Sequence, residues 1–292
     1  MSRRFEEIDW QQTPLGEISL RRRLEPSLLV DVYEVKLGEE FLMSSLFTVA
    51  EVELARLGLA AVDGEHLDVV VGGLGLGYTA LAALDDARVG SVTVVEALGP
   101  VISWHERQLL PDTAALTLDP RTTLLEGDFF ALARAGQGFG SAPGMLHAVL
   151  LDIDHTPHHV LHPSHADLYT HQGLAGLAAR LHPGGVFALW SDDPPEDAFI
   201  ALLTDVFADA VAHEVSFANP LTGGTSSNSV YVATTSLPEP GGRPSPRVSP
   251  PAERLRSTRH TPTTRSGVDV PEVPPRTAPR SYGDGGASTR PS

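Results

Sequence analysis

Across residues 67 to about 235, short β-branched runs alternate with stretches of helical apolar spacing, the pattern of parallel strands joined by crossover helices. Residues 67–71, 91–96, 122–126, 148–152 and 186–190 are the expected strands. Each of the first four ends in or near a glycine or an acid. In a doubly wound sheet the carboxyl ends of the strands form the ligand crevice, so these residues should converge on one site. Residues 213–217 and 229–234 flank the turn-rich Asn219-Pro220-Leu221-Thr222-Gly223-Gly224 and predict a closing antiparallel hairpin.

Upstream, residues 1–60 predict a small β-rich extension, with strands at 16–20 and 28–35 and two or three hairpin strands in all. After Gly38 the spacing of Leu46, Val49, Val52, Leu57 and Leu59 predicts a helix leading into the main domain. From Leu237 the chain turns to Pro, Arg, Ser, Thr and Gly, with twelve prolines in 56 residues, a composition that cannot bury a core. The expected organisation is therefore an extension at 1–60, a Rossmann-like domain at 61–236 and a disordered tail at 237–292.

The 292 residues, 41% hydrophobic, suffice for one or two domains. The net charge of −16 is uneven: the tail holds nine Arg and five acids, leaving 12 basic against 32 acidic residues upstream. Such a field repels nucleic acid and attracts small cations. Without cysteine there is neither a disulfide nor a thiolate metal site. With no apolar run near the ~18 residues of a membrane span and no leader pattern, the expected location is the cytoplasm.

The run Val69-Val70-Val71 followed by Gly72-Gly73-Leu74-Gly75-Leu76-Gly77 and the helix-forming Tyr78-Thr79-Ala80-Leu81 reads as strand, glycine turn and helix. Such a turn brings backbone close to a ligand and directs helix N-terminal amides at it. Glu96, 19 residues after Gly77, stands at the next strand end, where a carboxylate accepts hydrogen bonds from ribose hydroxyls. These two features also satisfy a dinucleotide pattern. Gly127-Asp128, Asp152 and Leu181-His182-Pro183-Gly184-Gly185 favour an adenosylmethionine-type nucleoside. Asp152 or Asp154 could take the proton that an amine nucleophile, with a pKa near ~10.4, must lose before attacking a sulfonium carbon. His155, His158, His159, His162 and His165 crowd the same loop, but Pro157 and Pro163 and spacings that match no zinc signature leave it a solvated loop, with no metal expected. Trp104, His105 and Trp190 read as core or pocket lining.

Taken in order, these segments resemble the spermidine synthase family of aminopropyltransferases, within the class I S-adenosylmethionine-dependent methyltransferase fold. The resemblance runs over residues 67–234. Val94-Val95-Glu96-Ala97 is similar to the family's ribose-binding strand end, Gly127-Asp128-Phe129-Phe130 to the segment whose Asp holds the adenine amine, Leu151-Asp152-Ile153-Asp154-His155-Thr156-Pro157 to its catalytic loop, and Leu168-Tyr169 to the stretch that follows. The resemblance implies catalytic roles for Asp152 and Asp154, cofactor contacts for Gly73, Gly75, Gly77, Glu96, Asp128 and Phe129, and substrate contacts for His155 and Tyr169. It implies decarboxylated S-adenosylmethionine or S-adenosylmethionine as donor, a small cationic amine as acceptor, and an oligomeric state left open, a homodimer included. The chain departs from the family in its glycine turn, where no acid stands between Gly72 and Leu84, in lacking the Tyr-His or Tyr-Gln pair ahead of the domain, and in the spacing of Asp152 and Asp154. Methyl transfer from the intact donor, a non-catalytic nucleoside-binding protein and a nicotinamide dehydrogenase are the other readings.

Overall fold

The computed structural model describes residues 5–136, 138–142 and 144–238. The expected tail lies outside the described residues from Glu239 on.

Four strands, not two or three, make up the N-terminal sheet: β1 (Phe5–Thr13), β2 (Gly16–Glu25), β3 (Val30–Leu37) and β4 (Glu40–Ser44), paired antiparallel in that order. β1 is mostly polar, so no apolar alternation announced it. Its pairing is instead marked by cross-strand charge, with Arg22 of β2 donating to Glu6 at 2.6 Å. Residues 40–44 are a strand and not a run-up to the helix, because the chain reverses at Gly38, whose φ of +58° suits a tight turn. Ile18 and Leu20 of β2 are buried with the main core.

Helix α1 (Val49–Ala60) then leads to the large sheet, burying Ala50, Glu51, Leu54, Ala55, Gly58 and Leu59. Gly58 allows the close approach: a Cβ there would stand 2.7 Å from Leu150 Cδ2. The sheet contains β5 (Leu67–Gly72), β6 (Val89–Glu96), β7 (Thr122–Glu126), β8 (Leu146–Leu151), β9 (Leu181–Ser191), β10 (Asp209–Asn219) and β11 (Gly224–Thr234), in the order β10-β11-β9-β8-β5-β6-β7. β5 to β9 are parallel, and the β10–β11 hairpin adds antiparallel to β9. Both faces are covered, which is why the strands read as continuous apolar runs. Val69, Val71, Leu150 and Ala188 face a core shared with α1, α2 (Tyr78–Leu84), α3 (Gly99–Glu106) and the N-terminal sheet. Val70, Val149, Leu151 and Phe187 face the other core, with α5 (Phe129–Ala135), α6 (His171–Ala178) and α7 (Asp197–Val206). The short α4 (Thr113–Thr117) precedes β7. Among the described residues no helix is long and apolar enough to cross a membrane.

The chain order reverses at β5, which lies between β6 and β8. The registers Gly72 with Leu151 and Gly72 with Val95 bring three strand ends level. Hydrogen bonds continue the ladder past them, from Asp152 N to Gly72 O at 2.8 Å and from Gly127 N to Glu96 O at 2.9 Å.

Candidate functional site

A cavity of about 870 Å³ opens over these strand ends, within the usual range of a small-ligand site. Its floor is the glycine turn. Gly73 holds φ +93° and lies so close to the Asp152 carbonyl that any Cβ would collide with it, so the residue must be glycine for β5 and β8 to end side by side. Met43 of β4 sits over Gly75 and accepts a hydrogen bond from Leu76 N at 3.1 Å.

Glu96 stands in the cavity wall with both carboxylate oxygens engaged, Oε2 accepting from Leu74 N at 3.0 Å and Oε1 from Leu98 N at 2.9 Å. Burial pushes its carboxyl above the usual carboxylate range, opposed by these backbone bonds. Asp128 is exposed on the cavity rim and caps α5 through Ala131 N at 3.0 Å. Phe129 and Phe130 complete that wall, and the His165 ring stacks on Phe130 with centroids 3.8 Å apart.

Asp152 is half-buried at the end of β8, and the Thr79 hydroxyl donates to its Oδ2 at 2.7 Å. Burial raises its carboxyl to about 6, held back by that bond. Facing it from α1 is Glu51, pushed up to about 8 by burial and then by the Asp152 charge. His155 lines the opposite rim, with its Nε2 3.1 Å from Glu40.

Three of the sequence-derived residues lie elsewhere. Gly77 caps α2 and packs on His105, where a Cβ would meet Cε1 at 2.9 Å. Asp154 is fully buried outside the cavity lining, accepting from Leu161 N at 2.7 Å and Tyr169 Oη at 2.8 Å and lying 2.8 Å from His165 Nδ1. Tyr169 is thereby turned to Asp154, which with burial raises its phenol well above the ordinary value. The histidines of this loop take separate partners, His158 pairing with Glu196 at 2.8 Å, His162 with Ser164 at 2.8 Å and His165 with Asp154, while the His155 and His159 rings lie 5.0 Å apart.

No family model matches the chain. Putrescine N-methyltransferase 3 and putrescine N-methyltransferase 1 of Nicotiana tabacum are each 28% identical to it over 133 residues, 46% of this chain and 32% of theirs. The chain thus spans about a third of the length of the curated relatives it matches. A spermidine synthase in complex with the transition state analogue AdoDATO superposes with a TM-score of 0.61 at 18% identity, over 79% of this chain and 74% of that one. The spermidine synthase from Thermotoga maritima gives 0.60 at 18% identity, over 79% and 73%. A probable spermidine synthase from Corynebacterium glutamicum gives 0.53 at 15%, over 77% and 79%. The fold is that of a spermidine synthase.

Within the spermidine synthase fold, one cavity acid that sequence reasoning missed, Asp192, directly follows β9, while three other missed residues come from outside the strand ends. Met43 comes from β4 and Glu51 from α1, while Tyr78 opens α2. Glu51 did carry a signal: it shares a helix face with Leu54, Ala55 and Gly58, so an acid stands where the spacing calls for an apolar residue. Trp190, from β9, also lines the cavity, and its buried indole N–H has no protein partner among the described residues. Trp104 and His105 belong to the interior instead. The Trp104 indole donates to Asp9 at 2.7 Å, and His105, whose pKa burial lowers, donates from Nε2 to Gly75 O at 2.9 Å.

Proposed function

We propose that this protein is a transferase that binds decarboxylated S-adenosylmethionine and moves its aminopropyl group to a small cationic amine. The observation that carries this reading is the charge of the cavity. Five acidic side chains line it, those of Glu51, Glu96, Asp128, Asp152 and Asp192, and among the described residues no Lys or Arg does. Such a wall attracts a sulfonium and an amine and repels a carboxylate. Most of the turn amides are already engaged: Gly73 N bonds Val95 O, Leu74 N bonds Glu96, Leu76 N bonds Met43, and Gly77 N bonds Leu74 O. Among the described residues the carboxylate of the intact donor would meet no Lys or Arg there, and those four amides are taken. The nucleoside site is assigned to residues 61–236, with Met43 and Glu51 of the preceding segment closing it.

In the proposed step the acceptor nitrogen attacks the aminopropyl carbon bound to sulfur. The new C–N bond forms as the C–S bond breaks, its electron pair passing to sulfur to leave neutral methylthioadenosine. The proton shed by the nitrogen goes to Asp152, whose raised carboxyl is poised near the working pH. Gly73, Gly75, Glu96, Asp128 and Phe129 are assigned to the nucleoside, and His155 to the acceptor. Asp154 and Tyr169 are assigned to hold the loop, since both are spent on each other.

Methyl transfer from the intact donor is the second reading, favoured by the likeness to putrescine N-methyltransferases and by the acid missing from the glycine turn. Assays with putrescine and either donor separate the two. Release of methylthioadenosine at least about tenfold faster than formation of a methylated amine supports the first reading, and the reverse ratio supports the second. Binding of both donors without turnover of putrescine or other diamines would leave a non-catalytic nucleoside-binding protein.

A further inference from the structure

Among the described residues Glu51 is a buried acid that no basic side chain of the fold pairs. It stands in the first turn of α1, 9% exposed, on the cavity wall. Among the described residues no Lys, Arg or His pairs with it, and no other residue's hydrogen bond reaches its carboxylate. A carboxylate withdrawn from water without a partner is costly, so its natural complement is a cation delivered by a ligand. The groups around it narrow the choice. The Thr79 hydroxyl lies 3.3 Å from the Glu51 carbonyl and 2.7 Å from Asp152 Oδ2, which ties α1, α2 and the end of β8 into one corner of the cavity. Among the described residues no hydrogen bond occupies Asp152 Oδ1.

We propose that Glu51 holds the ammonium end of the donor's alkyl arm, beside Asp152, and supplies from α1 the acid that the glycine turn lacks. The inference rests on the transferase reading above and deepens it. An ammonium presents three N–H donors and suits two carboxylates at one corner, whereas an ammonium with a carboxylate on the adjacent carbon would set a third negative charge beside them. The pair therefore selects a decarboxylated donor. The high pKa of Glu51 supports this: the empty corner retains a proton near neutral pH, and an arriving cation must expel it.

The test compares two nucleosides by calorimetry on the full chain: methylthioadenosine, which has no ammonium, and decarboxylated S-adenosylmethionine. In Glu51→Gln the affinity for the second is expected to fall about 10- to 100-fold, the range for a hydrogen bond to a charged group, while that for methylthioadenosine changes less than about threefold. Wild type should release about one proton on binding the decarboxylated donor near pH 7, read from two buffers of different ionisation heat, and none on binding methylthioadenosine. Glu51→Asp should recover part of the affinity. Equal losses for both nucleosides would make Glu51 structural, and an unchanged affinity for the decarboxylated donor would remove it from the site. If Glu51→Gln does not fold, wild-type proton release decides, its absence overturning the inference. Failure of wild type to bind methylthioadenosine would overturn the nucleoside reading itself, a different result from either.

Discussion

The hydroxyl of Thr79 donates a 2.7 Å hydrogen bond to Asp152 Oδ2, fixing the first turn of α2 to the end of β8. Because the bond favours the ionised carboxylate, it opposes the burial that lifts Asp152 to about 6. A general base works deprotonated, so kcat/KM should rise with pH through that value, with a second rise near 8 where the donor corner loses the Glu51 proton. Thr79→Val removes the bond, and the midpoint of the first rise is expected to move to higher pH. A pH–rate profile from 5 to 9 checks it, and an unmoved midpoint would take the proton-accepting role from Asp152.

Asp152→Asn keeps the shape of the side chain but cannot accept a proton. Turnover is expected to fall by ~10²- to 10⁴-fold with methylthioadenosine affinity nearly unchanged. Single-turnover kinetics beside a binding isotherm measure both, and a loss below about threefold would count against the assignment.

Glu96→Ala should weaken every adenine nucleoside by about 1–3 kcal/mol, since it removes the proposed ribose acceptor and frees Leu74 N and Leu98 N in the floor of the cavity. Asp128→Ala is expected to cost less, because the side chain is exposed and part of its effect is the helix cap, worth about 1 kcal/mol. Isotherms with methylthioadenosine rank the two.

Tyr169→Phe leaves Asp154 Oδ2 buried without its donor, at a cost of about 1–3 kcal/mol of stability. Asp154→Asn should cost a similar amount, and the double variant less than the sum, as for two partners in one bond. Thermal melts decide the stability effect. Retained nucleoside binding in the folded variants would place both residues in loop support rather than in ligand contact.

Stability should itself depend on Glu51. The carboxyls facing one another here are Glu51 and Asp152, with the Tyr78 phenol of α2 beside Glu51, also raised by burial. An acid whose pKa is higher folded than unfolded binds its proton more tightly in the native state. The folded protein therefore loses stability as pH rises from about 4.5 to about 8, and the full penalty is present above 8. Glu51→Gln should raise the melting temperature above pH 8 and change it little near pH 4. A stabilisation that is the same at both pH values would mean that the carboxyl keeps its ordinary pKa.

The amino-acid sequence by itself determined the alternation of β5 to β9 with helices, the closing hairpin and the glycine turn. These follow from local sterics and from an apolar period that each segment carries alone. It also placed Gly73, Glu96, Asp128 and Asp152 at strand ends, and a parallel sheet brings strand ends together whatever their separation along the chain. The tertiary structure decided which of those groups line the cavity. Asp152 and Asp154 are two residues apart and chemically equivalent in the sequence, yet one opens onto the cavity while the other is claimed by Tyr169, 15 residues later. β1 and β4 escaped notice because their pairing rests on partner strands and a turn rather than on an apolar alternation of their own. Glu51 became part of the site because α1 packs across the sheet next to Thr79 and Asp152, a contact between segments 28 and more residues apart that no local pattern encodes.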